Sequence, residues 1–129
     1  MLLVDTALRP SAIHGVGVFA RRPIAKDALV WKFSQPWDLQ LAPRDVLSLR
    51  ASVLRDVARH LYLSRQSGCY VLCRDNARFM NHSRSPNLKC TADSGSEECV
   101  CFASRSIAPG EELTCDYREF DAETLEPYL

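Results

Sequence analysis

Arg78-Phe79-Met80-Asn81-His82-Ser83-Arg84-Ser85-Pro86-Asn87 sets a polar run directly behind two large apolar residues, and Glu111-Glu112-Leu113-Thr114-Cys115-Asp116-Tyr117 follows further along the chain. Taken alone, the first string reads as a loop in which Asn81 and Ser83 cap turns and His82 packs inward, because short polar side chains bond to neighbouring backbone groups. Asn87, after Pro86, reads as a turn residue that shapes this loop. Taken alone, Tyr117 reads as a packing residue whose hydroxyl finds a partner. A third stretch, His14-Gly15-Val16-Gly17-Val18-Phe19-Ala20, stands near the start. Missing Cβ atoms at Gly15 and Gly17 let backbone approach a ligand closely and turn amides toward a carboxylate. It is not the dinucleotide fingerprint, since Phe19-Ala20 occupies the place of the third glycine and the helix start.

The 129 residues suit one domain, 1–129, with a single core. Apolar residues make up 47% and charged residues 25%, a composition that buries enough surface to fold and argues against disorder. Sixteen bases balance sixteen acids, so the strongly basic surface of a dedicated nucleic-acid binder is missing. Charge is uneven locally: Glu111, Glu112, Asp116, Glu119, Asp121, Glu123 and Glu126 face a single base, Arg118, from Ile107 onward. Such an end is either a solvated surface or an attractor for a basic peptide. Met1-Leu2-Leu3-Val4 breaks at Asp5 and leads into no apolar region, so no secretory segment is read, and no run approaches the length needed to span a bilayer. These observations give an intracellular expectation, cytoplasmic or nucleoid/nuclear, with a secreted effector left open. In that setting the six cysteines are expected to be free, mostly buried thiols. Cys69-x3-Cys73 and Cys99-x-Cys101 lack the repeated spacing of a structural zinc site, and no metal is expected.

Strand-forming stretches run over 16–20, 29–33, 69–73, 88–91 and 99–103, and the first two read as a hairpin-like pair. Pro43 opens a segment in which Val46, Leu47 or Leu49, Val53, Val57 and Leu61 recur at helical spacing, which predicts one inserted helix. Turns are predicted at 92–96 and at Pro109-Gly110, where proline sets the first central position and glycine tolerates positive φ at the second. The fold class is mainly β, α+β. Periodicity does not show how the strands connect.

Together the three motifs, in this order, resemble the signature of SET-domain protein-lysine N-methyltransferases from about residue 15 to residue 120. The resemblance implies small curled β-sheets and a C-terminal pseudoknot that brings the Asn81-His82 segment beside Tyr117. It also implies methyl transfer from S-adenosyl-L-methionine to the side-chain amine of a lysine in a basic protein or peptide, a chromatin protein being one candidate, with no direct nucleic-acid or membrane partner. In this reading Tyr117 is the catalytic orienting hydroxyl and Tyr70 lines the lysine channel. Gly15, Gly17, Arg78, Asn81 and His82 hold the cofactor, and Phe120 stands where relatives place an aromatic against adenine.

Two departures from the family pattern bear on substrate and product. Relatives often carry a cysteine-rich segment after the catalytic tyrosine that binds zinc and completes the channel, whereas Arg118 to Leu129 holds no cysteine. Phe120, Tyr128 or another subunit must then supply the wall, which gives an expectation of a homodimer or of a tail folded over the site. Cys115 occupies the position where relatives place Phe or Tyr and where the number of methyl groups is governed. Its other reading is a strand residue facing the core. The alternative function, from a different class, is an inactive SET-like module that binds a basic segment without turnover. The joint presence of Asn81-His82 and Tyr117 favours the enzyme.

Overall fold

The computed structural model describes residues 1–123. In chain order they form β1 (Thr6–Pro10), β2 (Val16–Ala20), β3 (Leu29–Lys32), β4 (Asp38–Leu41), α1 (Pro43–Leu47), α2 (Ala51–Ala58), β5 (Leu61–Leu63), β6 (Tyr70–Cys73), β7 (Asn81–His82), β8 (Leu88–Thr91), β9 (Val100–Ala103) and β10 (Glu112–Cys115). Single 3-10 turns span Asn76–Phe79 and Tyr117–Glu119. Three small sheets result, ordered β1-β2-β10-β7, β3-β9-β8 and β4-β6-β5. The mainly β, α+β expectation holds.

β8 shows how the pattern folds: Leu88 and Cys90 point inward while Lys89 faces water, the period of two that a half-buried strand requires. Val18, Ala20, Val30, Val71, Leu88, Ala103, Ile107 and Leu113 join in one core drawn from all three sheets. Gly110, at φ +86°, closes the expected turn, in which the Glu111 N–H bonds to the Ala108 carbonyl at 3.2 Å. That turn delivers β10 between β2, which it meets antiparallel at Leu113 and Val18, and β7, which it meets parallel at Thr114 and Asn81. This pairing sets the Asn81-His82 segment beside the stretch that leads into Tyr117, as expected.

Three expectations are corrected. The stretches 16–20 and 29–33 are strands but not a hairpin: β2 pairs with β1, and β3 pairs with β9 in another sheet. β1 escaped the reading because it is a sheet edge ending in Pro10, where proline withdraws no needed ladder donor. The single helix is two, broken over residues 48–50. Ser48 donates its hydroxyl to the Asp45 carbonyl at 2.7 Å, and the Leu49 N–H bonds to Val46, tightening the end of α1. No packing restores continuity, since only Val46 is buried in α1 and no residue is buried in α2, and Leu61 lies in β5.

The third correction concerns cysteines. Cys90 and Cys101 stand directly opposite each other in the β8–β9 ladder and form a disulfide, with Cα atoms 4.1 Å apart. Close Cα approach at an antiparallel pair brings two thiols within bonding reach whatever the compartment. Cys69, Cys73, Cys99 and Cys115 are free, the last three buried. Alkylating the denatured, unreduced protein should therefore mark four thiols, and all six only after reduction. Six marks before reduction would show the pair open. Among the described residues no three His, Cys, Asp or Glu side chains converge as metal ligands, and no helix is long and apolar enough to cross a membrane.

Candidate active site

Tyr117 opens the 3-10 turn that follows β10, and its geometry begins with the residue before it. The Asp116 carboxylate caps this turn by accepting from the Arg118 N–H at 3.0 Å and from the Arg118 guanidinium at 2.8 and 2.6 Å. The guanidinium holds the Asp116 carboxyl below its ordinary pKa. The parallel pairing of Cys115 with His82 then sets the backbone of Tyr117 over the imidazole, whose Nδ1 accepts the Tyr117 N–H at 3.0 Å. At its far end the Tyr117 hydroxyl donates to the carbonyl of Met80. Residues 80–82 thus grip Tyr117 at both ends.

An Nδ1 that accepts a hydrogen bond carries no proton, so His82 is the neutral tautomer with its hydrogen on Nε2. The 3.8 Å approach of Nδ1 to Asp116 is consequently no ion pair. Burial depresses the His82 pKa, with Asp116 opposing more weakly, and this agrees with the neutral form. The side chain is 7% exposed and Nε2 is buried with no partner, leaving one donor unused beside Tyr117. Burial also raises the Tyr117 pKa, so its hydroxyl keeps its proton. It is a donor and acceptor, not a base.

The glycine segment meets this arrangement from the other side of β10. Gly15 has φ +48°, a conformation that strains any residue with a Cβ, and a side chain there would meet nothing within 4 Å. Gly17 is different: a Cβ would fall 2.1 Å from Glu112 Oε1, so the missing side chain makes room for a carboxylate of the protein itself. The Asn81 side-chain nitrogen reaches Glu112 Oε1 at 2.8 Å and the His14 carbonyl at 3.0 Å, tying both to β7. Asn87 bridges to β10, donating to the Glu112 carbonyl at 2.8 Å and accepting from the Thr114 N–H at 2.9 Å. This agrees with a loop-shaping role. Arg78 stands apart, exposed, with its guanidinium 4.8 Å from the Phe79 ring centre.

Aromatic side chains form the third part. The Phe120 ring lies 4.8 Å from Tyr62 in an edge-to-face contact and 5.7 Å from Tyr117, and Tyr117 lies 5.3 Å from the His82 ring. Tyr62 was missed in the sequence, where it sits in a segment read as the end of a helix. Tyr70 is buried on β6, and its hydroxyl donates to the Glu123 carboxylate at 2.6 Å. That bond stabilises the protonated phenol and pushes its pKa up to about 12.

The segment after Tyr117 runs along β5. The Arg65 N–H bonds to the Phe120 carbonyl at 2.9 Å, and the Ala122 N–H to the Leu63 carbonyl at 2.7 Å. The buried Asp121 carboxylate accepts the Leu63 and Glu123 N–H groups at 3.1 and 3.0 Å. Tyr128 lies outside the described residues. Cys115 is 3% exposed within the core, where burial raises its pKa far above the ordinary thiol value, with Cys99 and Cys73 among its electrostatic neighbours. The side chain therefore packs as a core residue.

The sequence model of the SET domain matches residues 15–118. Over 122 residues the chain is 34% identical to histone-lysine N-methyltransferase 2B of Homo sapiens, an alignment covering 84% of this chain and 4% of that protein. Over 117 residues it is 33% identical to the H3 lysine-4 specific histone-lysine N-methyltransferase of Yarrowia lipolytica, covering 84% of this chain and 10% of that one. The chain thus spans only a small part of the length of these relatives. A crystal structure of a Plasmodium falciparum protein, described as a histone methyltransferase, superposes with a TM-score of 0.61 over 90% of this chain and 95% of that one. At 17% identity that likeness is one of fold. The match extends across the glycine segment, the Asn81-His82 pair and Tyr117, the three stretches that the strand pairings bring together, and the chain belongs to the SET-domain family.

Proposed function

We propose that this chain is one catalytic SET domain that transfers a methyl group to the side-chain amine of a lysine in a basic protein. The observation that carries the reading is Tyr117, held at its N–H by His82 and at its hydroxyl by Met80. Because the hydroxyl hydrogen is committed to the Met80 carbonyl, the lone pairs of the phenol oxygen face any amine that approaches. They can accept an amine N–H and so aim the nitrogen lone pair. A displacement on carbon needs little more than alignment, which can be worth about 7–11 kcal/mol. The lysine must arrive neutral, and an apolar, aromatic-lined channel disfavours its ammonium form.

The residues fit S-adenosyl-L-methionine. The open left-handed turn at Gly15 gives backbone room to approach a ligand, and the buried, unpartnered Nε2–H of His82 is a donor in want of an acceptor. Gly15, Asn81 and His82 would hold the cofactor, with Phe120 beside them. When bound, it supplies a methyl group on a positively charged sulfur. Gly17 contributes through the Glu112 carboxylate that it admits. Arg78 would act at the outer edge.

For the channel wall we assign Tyr70 together with residues 120–123. Their hydrogen bonds to β5 support a covering tail over a homodimer, which sedimentation would decide. Histone-lysine methyltransferases among the relatives, and the run of acids from Glu111, support a basic chromatin-type substrate and a place in the cell where such proteins lie. The test is incubation of purified protein with labelled S-adenosyl-L-methionine and histone or whole-cell protein, with labelled residues located by mass spectrometry. Labelled lysine is the expected result. Binding of cofactor and of basic peptide without any label would instead establish the non-catalytic module.

Cys115 carries a narrower proposal about product. If it borders the methyl-accepting nitrogen, a thiol is a weak donor and acceptor that does not restrain a methylated amine, and di- or trimethyl-lysine forms. Cys115→Tyr should then shift products toward monomethyl-lysine. Its full burial means the larger ring should also cost about 1–3 kcal/mol of stability. Intact-mass analysis of a peptide at long reaction times reads the outcome. A wild type that stops at one methyl, with Cys115→Tyr unchanged in product, would return Cys115 to a packing role only.

A further inference from the structure

Glu98, just before β9, is fully buried and has no Lys, Arg or His partner within ion-pair distance among the described residues. A carboxylate so placed must be held by hydrogen bonds alone. Gln40 Nε2 at 2.8 Å and the Ser67 hydroxyl at 2.5 Å donate to Oε1, and the Ser64 hydroxyl donates to Oε2. The serines have only a donor to offer. Ser64 Oγ already accepts the Gln66 and Ser67 N–H groups, both at 3.1 Å, which fills its two lone pairs, and Ser67 Oγ accepts the Cys69 N–H at 3.2 Å. Position 98 therefore calls for a group that accepts from all three partners, which a carboxylate does and an amide does not.

The serines belong to the turn between β5 and β6, and that turn carries more than itself. Gln66 clamps it to the loop after β8, donating to the Asp93 and Ser96 carbonyls at 3.1 and 2.9 Å and accepting the Asp93 N–H at 3.2 Å. On its outer side the backbone of residues 63–65 binds the segment that holds Phe120 and Asp121, and at its end stands Tyr70, whose hydroxyl meets Glu123. Glu98 thus grips from within the strip of chain on which the proposed channel wall is laid. Its side chain makes no hydrogen bond to Gly15, Asn81 or His82.

We propose that Glu98 is a positioning residue for the lysine channel: by accepting from Ser64 and Ser67 it fixes the turn that places Tyr70 and residues 120–123, and so governs how tightly the protein substrate is held. The inference rests on the channel wall assigned above. It separates Glu98 from a general structural part, because a loosened wall weakens the hold on substrate and leaves the cofactor's own contacts in place.

Steady-state methylation of core histones at saturating S-adenosyl-L-methionine, beside calorimetric titration with S-adenosylhomocysteine, reads this directly. Glu98→Gln keeps the side-chain shape but turns an amide nitrogen on a serine that can only donate, so KM for histone should rise at least about fivefold while kcat stays within about twofold. Affinity for S-adenosylhomocysteine should also stay within about twofold. In a Tyr70→Phe background, where the bond to Glu123 is already gone, the same change should raise KM by less than about twofold, since the two residues act through one wall. An unchanged KM, equal weakening toward histone and cofactor, or effects that simply multiply in the double variant would each overturn the proposal. Should Glu98→Gln fail to fold, Ser67→Ala removes one donor from an exposed residue, and a KM rise of at least about twofold, again absorbed by Tyr70→Phe, is expected. An unchanged KM in Ser67→Ala would count against it. Wild-type protein that methylates no histone would refute the catalytic reading itself and the positioning role with it, an outcome seen before any variant is made.

Discussion

Tyr117→Phe is expected to lower the rate of methyl transfer by about 10²–10³-fold, the usual cost of deleting one positioned hydrogen-bonding group from an active site. The ring contacts with His82 and Phe120 survive the change, and so does the bond from the residue 117 N–H to His82 Nδ1, which belongs to the backbone. What is lost is the hydroxyl and its bond to Met80. Stability should fall by only about 1 kcal/mol, and cofactor affinity should stay within a few-fold. Single-turnover rates beside calorimetric binding separate these effects. Full activity in Tyr117→Phe would remove Tyr117 from the mechanism.

Asn81→Ala acts elsewhere and should damage two properties together. Removing the amide strips a donor from the Glu112 carboxylate and from the His14 carbonyl, and it frees the segment bearing Gly15 from β7. Loss of a hydrogen bond to a charged group costs about 1.5–3 kcal/mol, so a clear drop in melting temperature is expected. Cofactor affinity should fall at least about tenfold as well, because a cradle that is no longer fixed must be ordered on binding. A variant that binds S-adenosylhomocysteine as the wild type does would show that Asn81 holds the loop to no functional purpose.

The motif strings were readable because each is continuous in sequence and combines residue types that loops and strands rarely combine by chance. The strand over 88–91 was readable for a different reason: burial alternates along it, and alternation leaves its trace in composition. What stayed hidden depended on partners distant in the chain. Nothing in Ser11 or Glu112 announces that Asn81 will stand between them, since the bonds join residues brought together only by β10. The Cys90–Cys101 bond was nearer to hand. With strands at 88–91 and 99–103 and a turn between, register sets the two thiols face to face, whereas the intracellular expectation points to free thiols. The helix misled through its periodicity. The apolar spacing continues across the break between α1 and α2, and Leu47, Leu49 and Val53 on it face solvent.

The placement of β10 also governs the order of events as the protein folds. β1 and β2 are neighbours in sequence and can meet early, as can β8 and β9, because short loops close with little loss of chain entropy. β10 must instead find Phe19 and Val18 across nearly the whole chain and at the same moment run parallel to Asn81 and His82. Contacts of such long range are the slow ones, and the ordering cost falls due before their stabilisation is collected. The two hairpins can therefore exist as partly assembled sheets while Tyr117 still lies outside them. The proposed site is complete only after this closing step, because it is the pairing of β10 with β7 that sets Tyr117 beside His82.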